Sequence, residues 1–293
     1  MEDYEESVES SVVILIKESE GLVFDARKAD GSPFTEEDYQ ASRRETTAER
    51  ATAPTLFKIC AEGDSWVNIL WPLSGVQGYN QTFVDIIEED GRFFINNIGW
   101  PGDTFESIVE KEQFRAPIQS GIFDFFILSG GGNDFLGGGS LVKFIKPFAS
   151  VPASSDPKDY IDRARLTEIF AEVKRGYVSI IQKVSVWSPA TEILLQGYDY
   201  AIPRPGGQWM GTPFASLGYS LSDPLPARII HLVVDAFYEL LDDVRQVRPR
   251  VHIMNNRNQL QGHWHDELHP DKVAATKVGS AYIDEMFRLR PVA

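Results

Sequence analysis

The 293-residue chain holds a single cysteine, Cys60, and only five histidines. One cysteine excludes an internal disulfide, and Cys60 falls inside an apolar run where a small side chain packs well and a reactive thiolate has no electropositive, accessible setting. No apolar run approaches the ~20 residues that a membrane span requires. Basic residues are in deficit: 28 Lys and Arg stand against 43 Asp and Glu, for a net charge of -15. Such a balance opposes partners held by cationic patches, so neither nucleic acid nor an anionic membrane surface is expected. Glycine runs occur near residue 133, but no Gly-Lys-Ser/Thr follows them, which leaves a phosphate loop unsupported. Nothing points to a cofactor, and there are no internal repeats.

The acidic excess is uneven. Residues 1–50 carry 14 acidic and 6 basic side chains, a net of -8, just over half of the total. Residues 1–54 read as an acidic N-terminal extension, with a short strand or helix turn at Val12 to Ile16, that is a solvated tail, a packing arm or a contact in a homo-oligomer. The opening Met1, Glu2, Asp3 is the reverse of the basic start of a signal peptide, so the expectation is a cytoplasmic protein.

The rest is organised around Ala61 to Asn68. The apolar run Leu56 to Cys60 ends at Gly63-Asp64-Ser65, the pattern of a buried parallel strand whose C-terminal end presents a serine where ligands sit in open α/β sheets. A serine hydroxyl needs a base to take its proton and a third group to orient that base. Near the C-terminus, Asp266-Glu267-Leu268-His269-Pro270 places a carboxylate three residues before a histidine, so one turn can carry both side chains to one spot. Gly99-Trp100-Pro101-Gly102-Asp103-Thr104 and Gly131-Gly132-Asn133-Asp134 offer backbone N–H groups and a side-chain amide for an oxyanion. His263 and His265 flank the same loop, and the 263–271 stretch also reads as a metal cluster, so a metallohydrolase is a rival. His231 and His252 read as packing residues.

Four blocks, Gly-Asp-Ser, Gly-Asp-Thr, Gly-x-Asn-Asp and Asp-x-x-His-Pro, stand in this order from about residue 55 to the C-terminus, and together they resemble the SGNH hydrolases, or GDSL esterases and lipases. Trp66 occupies the position where the family name has leucine. The resemblance implies a serine carboxylic-ester hydrolase that acts through an acyl-enzyme. In that reading Ser65 is the nucleophile, His269 the base and Asp266 its orienting partner, with an oxyanion hole made by the N–H groups of Ser65 and Gly102 and the amide of Asn133. It selects Gly102 over Gly99 because Gly102 precedes Asp-Thr.

Strands are expected at 92–98, 122–128, 192–197 and 250–254 after the first, alternating with helices at 81–89, 156–184, 223–244 and 272–289. A loop is expected at 71–75. Asp156-Pro157 and Asp223-Pro224 read as helix starts. Alternation of this kind predicts a three-layer α/β/α sandwich around a five-stranded parallel sheet; the resemblance adds the flavodoxin-like order 2-1-3-4-5. Two insertions, 136–155 and 201–226, are expected to wall the pocket of the 55–293 domain, and their aromatics suit an acyl chain or a sugar ring. Small or medium acyl esters are the expected substrates. An acyltransferase and a carbohydrate deacetylase with the same triad stay open.

Overall fold

A computed structural model describes residues 12–16, 24–28, 30–41, 56–69, 81–137 and 139–291. The loop expected at 71–75 and most of the N-terminal extension lie outside the described residues. Within that extension β1 (Val12–Ile16) and β2 (Phe24–Lys28) pair antiparallel, with Val12 opposite Lys28.

The main sheet contains β3 (Phe57–Glu62), β4 (Phe93–Asn97), β5 (Phe125–Leu128), β6 (Glu192–Gln196) and β7 (Val251–Met254), all parallel in the order β4-β3-β5-β6-β7. Counted from β3 this is 2-1-3-4-5. Every residue of β5 and β6 is buried, as is all of β3 except Lys58. Strands covered on both faces carry unbroken apolar runs, which is why their positions were readable.

Helices flank the sheet in two groups. On one side α1 (Phe83–Glu89) packs on the C-terminal helix α8 (Lys272–Leu289), with the Phe83 and Tyr282 rings stacked at 4.5 Å. The other group contains α2 (Phe105–Lys111), α3 (Arg115–Gln119), the one-turn α4 (Gly132–Phe135), α5 (Arg163–Trp187) and α7 (Leu225–Arg245). A short α6 (Gly211–Ser216) lies between β6 and α7. The helix starts are chemical. Thr82 and Asp85 form a reciprocal capping box on α1, Thr104 caps α2, and Asp271 caps α8.

One start differs from expectation. Asp156 does cap a turn with Pro157 in its first position, but that turn is a short 3-10 segment, Pro157–Tyr160. Ile161 is then drawn into a bridge with Ile145, and the Asp162 N–H donates to the Phe144 carbonyl at 2.7 Å. The helix therefore begins afresh at Arg163, where the Asp162 side chain accepts from Ala164 N and Arg165 N.

Residues 36–41 are helical and lie against the loop after β4. Tyr39 is 1% exposed, with its ring 6.0 Å from that of Trp100, and Gln40 Nε2 donates to the Ile98 carbonyl at 3.0 Å. Among the described residues, no helix is long and apolar enough to cross a membrane.

Candidate active site

The candidate side chains emerge from the C-terminal ends of the strands. β3 runs into Gly63, whose φ is 149° and where an added Cβ would stand 2.3 Å from the Ser129 carbonyl oxygen. Only glycine permits this approach of the loops after β3 and β5. The turn that follows is fixed by Asp64, buried at 2% exposure. Its Oδ1 accepts from Trp66 N at 3.1 Å and from the Ser129 hydroxyl at 3.0 Å, and its Oδ2 from the Tyr198 hydroxyl at 2.5 Å. Burial raises the Asp64 carboxyl above its ordinary value, against the pull of these hydrogen bonds and of the nearby His269.

Ser65, one residue on, faces His269. The distance from Ser65 Oγ to His269 Nε2 is 2.7 Å, and that from His269 Nδ1 to Asp266 Oδ2 is also 2.7 Å. A carboxylate can only accept, so Nδ1–H donates to Asp266 and Nε2 is left to accept from the serine hydroxyl. The His269 side chain is 7% exposed and that of Asp266 24%. Asp266 Oδ1 also accepts from Leu268 N at 2.7 Å and His269 N at 2.8 Å, so one carboxylate both builds the turn and holds the imidazole. Burial pushes the Asp266 carboxyl up, but the His269 imidazole and the backbone N–H bonds outweigh it and leave the group below its ordinary value. The Trp66 indole N–H donates to the Leu268 carbonyl at 3.0 Å, joining the serine turn to the histidine loop.

Asn133 and Ser65 line one pocket, with Trp66, Leu136, Tyr198, Ala201, Trp264 and Leu268 among its walls and about 340 Å³ of space including its mouth. The side chains of Asn133 and Asp134 cross to the loop after β4: Asn133 Nδ2 donates to the Asp103 carbonyl at 2.9 Å, and Asp134 Oδ2 accepts from Phe105 N at 3.0 Å. Gly102 sits exposed at the tip of that loop with a φ of 87°. The Gly99 N–H, its rival, is taken by Asn97 Oδ1 at 3.1 Å.

The remaining histidines face elsewhere. His263 Nδ1 pairs with Asp271 Oδ2 at 3.0 Å, and His265 is exposed. His252 Nε2 lies 2.9 Å from Glu192, and His231 stacks on Tyr200 at 4.1 Å. The 263–271 loop therefore sends His263 to Asp271, His269 to Ser65 and Asp266, and His265 to the surface, and among the described residues no three His, Cys, Asp or Glu side chains are grouped as a metal ion needs. Cys60 is fully buried, and burial pushes its thiol well above the ordinary value. Tyr198 and Glu267 went unnoticed in the sequence. Tyr198 sits between Asp64 and the Gly132 N–H, which donates to its hydroxyl at 3.1 Å; in sequence it is one aromatic among several.

No protein-family model matches the sequence, and no curated protein does. Solved structures do. The lipase Lip_vut3 from a goat rumen metagenome superposes with a TM-score of 0.52 at 12% identity, over 78% of this chain and 96% of that one. An extracellular lipase from Streptomyces rimosus gives 0.52 at 14%, over 78% and 98%. Phospholipase A1 from Streptomyces albidoflavus NA297 gives 0.51 at 14%, over 79% and 99%. At these identities the likeness is one of fold, and the three-layer architecture expected from the alternation of strands and helices is the one the chain has.

Proposed function

We propose that the chain is a serine carboxylic-ester hydrolase of the SGNH type. The observation that carries this reading is the pair of 2.7 Å contacts linking Ser65 Oγ, His269 and Asp266. Ser65 attacks the ester carbonyl while His269 Nε2 takes its proton, and the Asp266 carboxylate stabilises the imidazolium so formed. The tetrahedral oxyanion is held by the N–H groups of Ser65 and Gly102 and by the Asn133 amide, each such donor being worth about 3 kcal/mol of barrier. His269 then protonates the leaving alcohol and, in the second half-reaction, activates the water that releases the acid.

The apolar and aromatic walls of the pocket, formed by Trp66, Leu136, Ala201, Trp264 and Leu268, support small or medium acyl groups as substrates. The same fold in lipases and in a phospholipase A1 supports ester-bond chemistry.

The deciding experiment is hydrolysis of p-nitrophenyl esters from acetate to palmitate by the wild-type chain and by Ser65→Ala, with and without a chelator. Turnover that ignores the chelator and disappears in Ser65→Ala is the expected result. Activity that survives in Ser65→Ala but is lost with chelator would move the chemistry to a metal at the 263–271 loop and refute the serine mechanism.

A further inference from the structure

Glu267 stands between Asp266 and His269 and has no part in the proposed chemistry. Its side chain turns away from the pocket and is buried, at 2% exposure, under the segment that follows β6. There it accepts four backbone N–H groups: Arg204 and Gly211 on Oε1, both at 2.8 Å, and Trp209 and Met210 on Oε2, at 2.9 and 3.1 Å. A carboxylate offers about four acceptor positions, so this nest fills it. Hydrogen bonds of this charged kind are roughly twice as strong as neutral ones.

The segment is shaped for the purpose. A Cβ added at Gly207 would lie 2.1 Å from the Glu267 carboxyl carbon, so the backbone must be bare there. Two further contacts run in parallel. The Arg204 guanidinium donates to the His265 and Trp264 carbonyls at 3.3 and 3.2 Å. In the opposite sense, buried Asp199 accepts from Asn258 N at 2.6 Å and Leu260 N at 2.8 Å. Each loop thus sends a carboxylate into the backbone of the other. At the far end of the Glu267 strap, the Trp209 ring stands edge-on to the His269 ring, with centroids 6.3 Å apart and planes at 81°.

We infer that Glu267 is a positioning residue: by tying the backbone of residues 204–211 to the triad loop, it fixes Asp266 relative to His269 and sets Trp209 against the imidazole. This inference rests on the triad proposed above. The charged groups that face His269 are Asp266 on its own loop and Asp64 on the turn after β3. If Glu267 lets go, Asp266 loosens and the imidazolium formed in the transition state loses its nearest carboxylate, so kcat and kcat/KM fall together while KM holds.

Two variants test this from opposite sides of the contact. Glu267→Gln keeps the size but turns an NH2 group towards two of the four N–H donors. Gly207→Ala displaces the carboxylate without altering any residue of the triad loop, and it decides the matter if Glu267→Gln fails to fold. In each variant that melts cooperatively, kcat on p-nitrophenyl acetate should fall about ten- to a hundredfold, with KM within about twofold of wild type. A folded variant with wild-type kcat, or one whose loss in kcat/KM lies in a raised KM, overturns the positioning role, because a merely structural wall would weaken substrate binding and leave turnover alone. Ser65→Ala is run alongside: if it retains wild-type turnover, the serine reading has failed and takes this inference with it, whereas an inactive Ser65→Ala beside an unaltered Glu267→Gln sinks the inference alone.

Discussion

Asp266→Asn exchanges one oxygen for an NH2 group, and the structure dictates which one. Oδ1 accepts from Leu268 N at 2.7 Å and from His269 N at 2.8 Å, so an NH2 group placed there would face two donors. The amide oxygen must stay at that position, which puts the NH2 group where Oδ2 was, 2.7 Å from His269 Nδ1. Two donors cannot face each other across that distance, so the imidazole takes its other tautomer and Nδ1 becomes the acceptor. Nε2 then carries the hydrogen and donates to Ser65 Oγ, and the base that should remove the serine proton no longer exists at neutral pH. A forced tautomer of this kind costs about 10³ to 10⁴ in turnover, roughly 4 to 5.5 kcal/mol on the barrier.

Stability should move far less. The turn keeps both of its backbone N–H bonds, now to a neutral acceptor, for a loss of about 1 kcal/mol. That loss depends on pH with a definite sign. In the fold the Asp266 carboxyl sits below its ordinary value, so its contribution is present at neutral pH and disappears as pH falls through the carboxylate range. Wild type and Asp266→Asn should therefore converge in Tm under acid. The assay is kcat against pH on p-nitrophenyl acetate, paired with thermal melts at pH 7 and pH 3. Turnover within about tenfold of wild type at pH 7 would show that the base does not depend on the Nδ1 contact, and the tautomer argument would fall.

Asn133→Ala removes the proposed amide donor and one bond to the Asp103 carbonyl. Turnover should drop about 100-fold or more with a Tm change of only a few degrees, and unchanged turnover would take Asn133 out of the oxyanion hole. Asp134 is a carboxyl that burial, aided by the charge of Asp64, pushes up to about 6 against the pull of the Phe105 N–H. Its neutral form suits the fold, so Asp134→Asn should gain nothing at pH 3 and up to about 3 kcal/mol at pH 8, read as the urea midpoint at each pH; an equal change at both would refute the assignment. Trp66 packs edge-on to Tyr198 and Trp264 in the pocket wall, with ring centroids 5.3 and 6.3 Å away. Trp66→Leu should move the p-nitrophenyl ester optimum to longer acyl chains, and an unmoved optimum would remove the indole from the acyl site.

The strands were legible because each is built around a short apolar run bounded by turn or loop residues, and Ser65 and His269 because their blocks pair a chemical side chain with turn-forming neighbours. Strand order came from the resemblance alone, since crossovers leave no mark on periodicity. Other features were hidden for physical reasons. Glu267 binds only backbone N–H groups, which carry no residue signature, so in sequence it is one more charge in a polar loop. Asp156-Pro157 gives a sound start signal, yet the helix waits until Arg163, because a contact made 16 residues upstream, Ile145 with Ile161, interrupts it. The charged run after Thr35 conceals Tyr39, which is buried against Trp100.

Four of the five residues given chemical roles have a carboxylate next to them: Ser65 has Asp64, Gly102 has Asp103, Asn133 has Asp134, and Asp266 has Glu267. Three of these carboxylates reach a different loop: Asp64 reaches Ser129 and Tyr198, Asp134 reaches Phe105, and Glu267 reaches Arg204 to Gly211. Asp103 instead holds Lys111 and Ser107 of the helix that follows it. Adjacent side chains in an extended or turning backbone point to opposite sides, so a chemical group that faces the pocket leaves its neighbour facing the interior. At Asp64 and Glu267 a carboxylate suits that inward place, because it accepts several N–H or O–H groups at once and each such bond is stronger than its neutral counterpart. Its partners must then satisfy it in full, since a buried charge left unpaired is costly. The geometry of the site is therefore set less by the chemical residues than by the acids beside them, and a chain that is acidic overall uses part of that excess to hold the loops after all five strands in one arrangement.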